Sequence, residues 1–253
     1  MSPTRHAIIL GCRVDAVGCA DAVRRIVELA ASPDACAHVV TLGTEMVVWA
    51  QHDEYFRDIV NAAALSLCDT IGVLAAARLH GVRIPERVTG VELLDPLCGA
   101  LAREGRSVFL LGAKGDTAQR AAAVLTSSHP ALHVAGCHDG YFSGDRDAAV
   151  AREIASCHAD VLFVAMGSPR QEYWIANHLR ATGCRVGIGV GGSFDVLAGN
   201  VQRAPKIWRQ LNLEWLYRLI REPRRWRRQL ALPHFVWLAF RESLTQARGR
   251  SGT

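Results

Sequence analysis

The stretch "DVLFVAMGSPRQEYWIANHLRATGCRVGIGVGG", residues 160–192, decides the fold. It opens on an apolar run, Val161–Met166, closed by Gly167, which reads as a strand. From Pro169 to Gly183 polar and apolar residues alternate at helical spacing, with the proline in the first turn, where a helix tolerates it. "CRVGIGVGG" is a second apolar run bounded by glycine. Two such runs separated by a helix of about 10–15 residues make a βαβ unit, and its strands are parallel.

The same alternation extends outward through most of the chain. Towards the N-terminus, "HAIILGCRV", "AHVVTL", "ALSLC", "SVFLLGA" and "LHVAGCHDGYF" read as strands. "CADAVRRIVELAA", "EMVVWAQHDEYFRDIVNAA", "IGVLAAARLHG", "GVELLDPLCGALAREG", "DTAQRAAAVLTSS" and "DAAVAREIASC" read as helices. The expected fold is α/β: a Rossmann-like, mostly parallel sheet flanked by helices, with a short helical C-terminal appendage. After about residue 200 no strand run appears. Pro205, Pro223 and Pro233 each precede a helical-looking stretch, so three short helices are expected there. This divides the chain into an α/β core, residues 1–200, and a basic, Trp-rich appendage, residues 201–253.

Half of the 253 residues are hydrophobic, which suits an α/β core. "MSPTRHAIILGCRV" does not read as a signal peptide, and no apolar run reaches the roughly 18–20 residues of a spanning helix, so a cytoplasmic location is expected. The eight cysteines contain no C-x-x-C pair and read as buried reduced thiols. The charge is lopsided. Nine of the 29 Lys and Arg lie between Arg203 and Arg228, against two of the 24 Asp and Glu (Glu214 and Glu222). Without that stretch the chain is slightly acidic.

In sheets of this kind ligands bind at the carboxyl ends of the strands. Five strand ends carry suitable chemistry. "VVTLGTE" ends on Thr41, and "LSLCDTIG" places Asp69 between a strand and a helix. In "FLLGAKGDTAQR", Gly112, Ala113 and Gly115 open a helix, where a backbone can approach a phosphate. "VAMGSPRQEYW" offers Ser168 as a cap and Gln171 in the first helical turn. "GVGGSFDVLAG" contributes Asp195. Each has a plainer reading: a tight βα turn for the glycines, helix capping for Ser168 and Asp69. Together they make one sheet edge a candidate ligand site, with Gly112, Ala113, Gly115 and Asp195 the candidate nucleotide contacts.

No G-x-G-x-x-G follows the first strand and no G-x-x-x-x-G-K-[ST] exists, so dinucleotide dehydrogenases are poorly supported and P-loop NTPases are excluded. Asp145 and Asp147 form an Asp-x-Asp, which here begins a polar helix and reads as capping, not a metal site. No metal ligand is assigned.

The ordered set "VVTLGTE", Asp69, "RVTG", "FLLGA", "DGYF", "GSPRQE", "GVGGSFDVLAG", "RAP" and "LEWLYRLIREPRRWRR" resembles the WecG/TagA/CpsF family, glycosyltransferase family 26, over roughly residues 10 to 230. The resemblance implies an inverting, metal-independent transferase in bacterial surface polysaccharide assembly. The donor would be a UDP-sugar and the acceptor a polyprenyl-diphosphate-linked sugar in the cytoplasmic membrane. It implies Asp69 as catalytic base and Thr41, Arg87, Gln171, Arg218, Arg225 and Arg228 as substrate-binding residues. It implies no cofactor. Two departures adjoin that centre: Thr41-Leu42-Gly43 where many members read Thr-x-Asn, and Asp69-Thr70 where many read Asp-Gly. They bear on the identity of the sugars.

Within the appendage, Trp208, Leu211, Trp215 and Leu219 fall on one helical stripe that can pack on the core. Trp226, Phe235 and Trp237 read as interfacial aromatics beside bases that would meet an anionic membrane. The expected place is therefore the inner face of the cytoplasmic membrane, held peripherally. The expected partners are the two substrates, that surface and a second copy in a homo-oligomer, with no nucleic acid. Two other classes compete: another nucleotide-cofactor enzyme (methyltransferase or dehydrogenase), and a non-catalytic α/β protein whose Arg/Trp tail binds RNA or membrane. The acidic remainder of the chain speaks against a broad nucleic-acid footprint.

Overall fold

The structure is a computed structural model that describes residues 5–142, 144–202, 204–205, 208, 216–217 and 231–250. The first apolar run does not fold as one strand. β1 (His6–Ile9) and β2 (Cys12–Asp15) form an antiparallel hairpin around Leu10 and Gly11, at φ 49° and 80°. Two left-handed residues in succession make the tight turn that matches strand twist, and Gly11 supplies one at little cost. The Asp15 carboxylate accepts from the Ser66 N–H at 2.8 Å and so fastens the hairpin to the main sheet.

α1 (Cys19–Ala31) leads to β3 (Ala37–Leu42). The expected single helix after β3 is two, α2 (Thr44–Trp49) and α3 (Glu54–Ala62). Asp53 breaks it: its carboxylate accepts from the Phe56 N–H at 2.9 Å and caps α3, which a helical Asp53 could not do. β4 (Leu65–Cys68), α4 (Ile71–Leu79), α5 (Gly90–Arg103), β5 (Ser107–Gly112), α6 (Thr117–Ser128) and β6 (His133–His138) follow. Then come α7 (Asp147–Ser156), β7 (Val161–Ala165), α8 (Arg170–Thr182), β8 (Val186–Gly189) and α9 (Ser193–Leu197).

The six strands β4-β3-β8-β7-β5-β6 lie side by side, all parallel. Side chains alternate between faces. Val39, Leu67, Leu110, Phe163 and Ile188 pack with α1, α5 and α6. Val40, Leu42 and Cys68 pack with α2, α3 and α4, and Phe109, Leu111, Leu162 and Val164 with α7 and α8. Both faces are buried, which is why the central strands read as unbroken apolar runs.

α10 (Ala231–Arg250) packs on α2 and α4. Pro233 stands in its first turn, as the sequence implies. Phe235, expected at a membrane interface, is instead 2% exposed in the core shared with Met46, Val47 and Val73. Trp237 and Phe240 lie on the outer side of the helix, 53% and 60% exposed, with the Arg241 guanidinium 4.6 Å above the Trp237 ring. Glu242 Oε2 accepts from the Leu10 N–H at 3.1 Å and sits 3.2 Å from His80 Nε2, tying the helix to the hairpin and to the end of α4. Among the described residues no helix is long and apolar enough to cross a membrane.

Candidate functional site

A cleft of about 340 Å³ opens at the carboxyl ends of β4, β3, β8 and β7. Thr41, Asp69, Arg87, Gln171 and Asp195 all line it. Three long helices begin at its wall: Ile71 and Gly72 of α4, Gly90 and Val91 of α5, and Gln171 of α8 are lining residues. The positive ends of three helix dipoles therefore lie at one hollow, a setting suited to an anion.

Asp69 follows β4 directly, and its N–H is held by the Leu42 carbonyl at 3.1 Å. Thr70 occupies the N-cap position of α4, one residue beyond Asp69. Arg87 lies in the connection between α4 and α5, which the Val88 N–H pins to the Cys68 carbonyl at 2.7 Å. Burial pushes the Cys68 thiol up to about 12, with Asp69 adding to the rise and Arg87 opposing it. Arg87 is the only Lys or Arg among the described lining residues, against the carboxylates of Glu45, Asp69 and Asp195. Glu45 has no distinguishing signal in the sequence, where it reads as an ordinary first-turn acid of α2.

Thr41 donates its hydroxyl proton to the Gly189 carbonyl at 3.0 Å, across the β3–β8 pair. Gln171, 3% exposed, accepts from the Gly191 N–H at 3.0 Å and donates to Glu172 Oε1 at 2.7 Å. Glu172 is fully buried. That burial lifts its carboxyl above the usual carboxylate range, and bonds from Gln171 and Ser168 pull it back in part. Ser168 does not cap α8, whose cap position is Pro169, joined to Ser168 by a cis bond. Thr89 caps α5: its Oγ1 accepts from the Glu92 N–H at 3.3 Å and donates to Glu92 Oε2 at 2.9 Å. Asp195, in the first turn of α9, accepts from Asn200 Nδ2 at 3.1 Å.

Gly112, Ala113 and Gly115 are not among the cleft's lining residues; they lie one strand beyond it, at the end of β5. A Cβ on Gly112 would fall 2.5 Å from the Ala165 backbone, so this glycine is required for β5 and β7 to meet. Gly115, at φ 60°, opens α6 with empty space where its Cβ would be. Asp147 heads α7 without making a side-chain cap; it stands 3.8 Å from His178 Nε2. His129 and His133 have an H-x-x-x-H spacing, but it runs from the end of α6 into β6, and His129 Nε2 turns to Asp95 at 3.0 Å. Among the described residues no group of three or more His, Cys, Asp or Glu could hold a metal ion. Arg218, Arg225, Arg228 and Trp226 lie outside the described residues.

The model of the WecG/TagA/CpsF family of glycosyl transferases matches residues 7–249. The chain belongs to that family. It is similar to two Bacillus proteins that carry one name, N-acetylglucosaminyldiphosphoundecaprenol N-acetyl-beta-D-mannosaminyltransferase. It is 38% identical to the protein of Bacillus subtilis (strain 168) over 206 residues, 81% of this chain and 80% of that one. It is 33% identical to the protein of Bacillus spizizenii (strain ATCC 23059 / NRRL B-14472 / W23) over 212 residues, 84% and 82% of the two chains. This glycosyl transferase therefore places Thr41, Asp69, Arg87, Gln171 and Asp195, which are scattered over more than 150 residues of sequence, in a single cleft.

Proposed function

We propose that the chain transfers a sugar, with inversion, from a UDP-sugar to a polyprenyl-diphosphate-linked sugar in bacterial surface polysaccharide assembly, with Asp69 as general base. One observation carries the reading. The strand-end carboxylate Asp69 shares a cleft with Thr41, Arg87 and Gln171, and α4, α5 and α8 begin there. The names of the relatives, each with a diphosphoundecaprenol-linked N-acetylglucosamine and a transferred sugar, support the acceptor class.

In the proposed step an acceptor hydroxyl attacks the anomeric carbon from the face opposite UDP. The new C–O bond forms as the bond to the diphosphate breaks, the electron pair leaves with UDP, and the hydroxyl proton passes to the Asp69 carboxylate. A base in hydrogen-bond reach contributes typically ~10²–10⁴ in rate. The charge developing on the leaving diphosphate is met by helix N-termini and Arg87. Further positive charge comes from the basic segment. Val201 and Leu232 both line the cleft, and the nine Lys and Arg lie in sequence between them. Arg218, Arg225 and Arg228 are assigned to substrate diphosphate. The nucleotide reaches from Asp195 towards Gly112, Ala113 and Gly115. No metal takes part in this reading, which is tested with the reaction itself. The remaining bases, with Trp237, face an anionic membrane on its cytoplasmic side, each Lys or Arg near the surface contributing ~1 kcal/mol.

The test incubates the full chain with a panel of UDP-sugars and short-chain lipid-diphosphate sugars and reads products by mass and by the configuration of the new linkage. An inverted product that forms in EDTA, and that is lost in Arg218→Ala or Arg228→Ala, is expected. No product from any pair, a retained configuration, or activity restored only by added Mg²⁺ or Mn²⁺ would overturn the corresponding part.

A further inference from the structure

Glu172 takes no part in the step above, yet it is the most deeply buried charged residue beside the cleft, 0% exposed. No ion pair of this side chain occurs among the described residues, and its Oε2 has no hydrogen-bond partner. Burying a carboxyl in this way is costly unless something else is gained. Its Oε1 accepts from Gln171 Nε2 at 2.7 Å, and the other end of that amide accepts from the Gly191 N–H at 3.0 Å.

We infer that Glu172 is a positioning residue: it holds the Gln171 amide in the one orientation that lets Gln171 Oε1 take the Gly191 N–H, and so fixes the Val190–Ser193 turn at the cleft wall. The inference rests on the reading of this cleft as the place of transfer. A side-chain amide has an acceptor end and a donor end of nearly the same shape, and only its partners decide which way it points. Glu172 Oε1 demands the donor end. Were the amide reversed, its NH₂ would face the Gly191 N–H, and two donors would meet without an acceptor. Val190, Gly191, Gly192 and Ser193 all line the cleft, so the amide's orientation is transmitted to its wall.

The strand beneath leaves room for this pair. A Cβ on Gly189 would lie 2.5 Å from Gln171 Nε2 and 3.1 Å from Glu172 Oε1. The Gly189 carbonyl in turn takes the Thr41 hydroxyl, so two cleft residues converge on one glycine. Glu172 is 0% exposed and Gln171 lines the cleft at 3%, so Gln171 is the member of the pair that meets substrate.

The experiment compares the kinetics and melting of Glu172→Met, Glu172→Gln, Gln171→Ala, Gly189→Ala and the doubles with Gln171→Ala. Methionine fills the space without an acceptor. It should lower kcat/KM by ~10–10²-fold, mostly through kcat, as a small misplacement of a substrate-positioning group does, while melting is not lowered. Glutamine offers a carbonyl in the same place and should restore most of that loss. In the Gln171→Ala background Glu172→Met should cost nothing further, because the two act as one unit. Gly189→Ala displaces the same amide by a different route, so it answers the question if Glu172→Met does not fold. It should impair the parent and leave Gln171→Ala no worse. An unimpaired Glu172→Met beside an impaired Gln171→Ala, or losses that multiply in the doubles, overturns the inference alone. Normal turnover by Gln171→Ala overturns the assignment of Gln171 to the site, and the inference with it.

Discussion

The Thr41 hydroxyl and the Gly189 carbonyl are joined at 3.0 Å, with Thr41 only 9% exposed. This bond stitches β3 to β8 where the cleft begins. In Thr41→Val the shape is kept and the donor is lost, so the Gly189 carbonyl loses this bond. Urea unfolding should show a loss of about 1–3 kcal/mol, and Thr41→Ser should retain most of the stability. Equal stability in valine and threonine would mean that the carbonyl finds another donor.

His38 on β3 makes stability depend on pH. Burial pushes its imidazole down to about 4, and its Nε2 has no partner. The unfolded chain, with an ordinary histidine near 6.5, takes up the proton first. Stability is therefore full above about pH 6.5, falls as the pH drops towards 4, and levels off below. The loss should reach ~3 kcal/mol. Unfolding free energies between pH 7 and 4 should show this slope, and His38→Leu should flatten it. An unchanged slope in His38→Leu would assign the acid sensitivity elsewhere.

Phe235 anchors α10. It is 2% exposed, and its ring packs 3.5 Å from the position a Cβ would take on Gly72, at the cleft edge. Phe235→Ala should cost ~3–5 kcal/mol in the packing of this helix. It should make the chain beyond Leu232 susceptible to limited proteolysis before the core melts. Trp237→Ala, on the outer side, should leave melting within about 0.5 kcal/mol of the parent. Equal protection of the Phe235→Ala and parent chains would contradict the packing described.

The central strands were legible because both sheet faces are buried, so Val161–Ala165 and Ser107–Gly112 read as closed apolar runs. The N-terminal hairpin was not, because Leu10 and Gly11 interrupt no hydrophobicity and only their backbone angles reverse the chain. The break at Asp53 was hidden by a periodicity that continues across it. Thr41, Asp69 and Gln171 could be found from their places at strand ends. Arg87 has no such place and enters only through the resemblance, since the connection holding it has no periodic signal and is held by bonds such as that of the Val88 N–H to the Cys68 carbonyl. Glu172 reads as a solvated helix residue. The signal that it is buried lies elsewhere, in the glycines of β8: Gly187 admits Ile175 and Leu179, and Gly189 admits Gln171 and Glu172.

The account stands most directly on Asp69. The measurement is turnover by Asp69→Asn under saturating donor and acceptor, beside its melting temperature and UDP affinity. The side chain keeps its size and loses the ability to take a proton. With fold and UDP binding preserved, turnover should fall by at least ~10². A folded Asp69→Asn protein that turns over at the parent rate would contradict the assignment of Asp69 as the base.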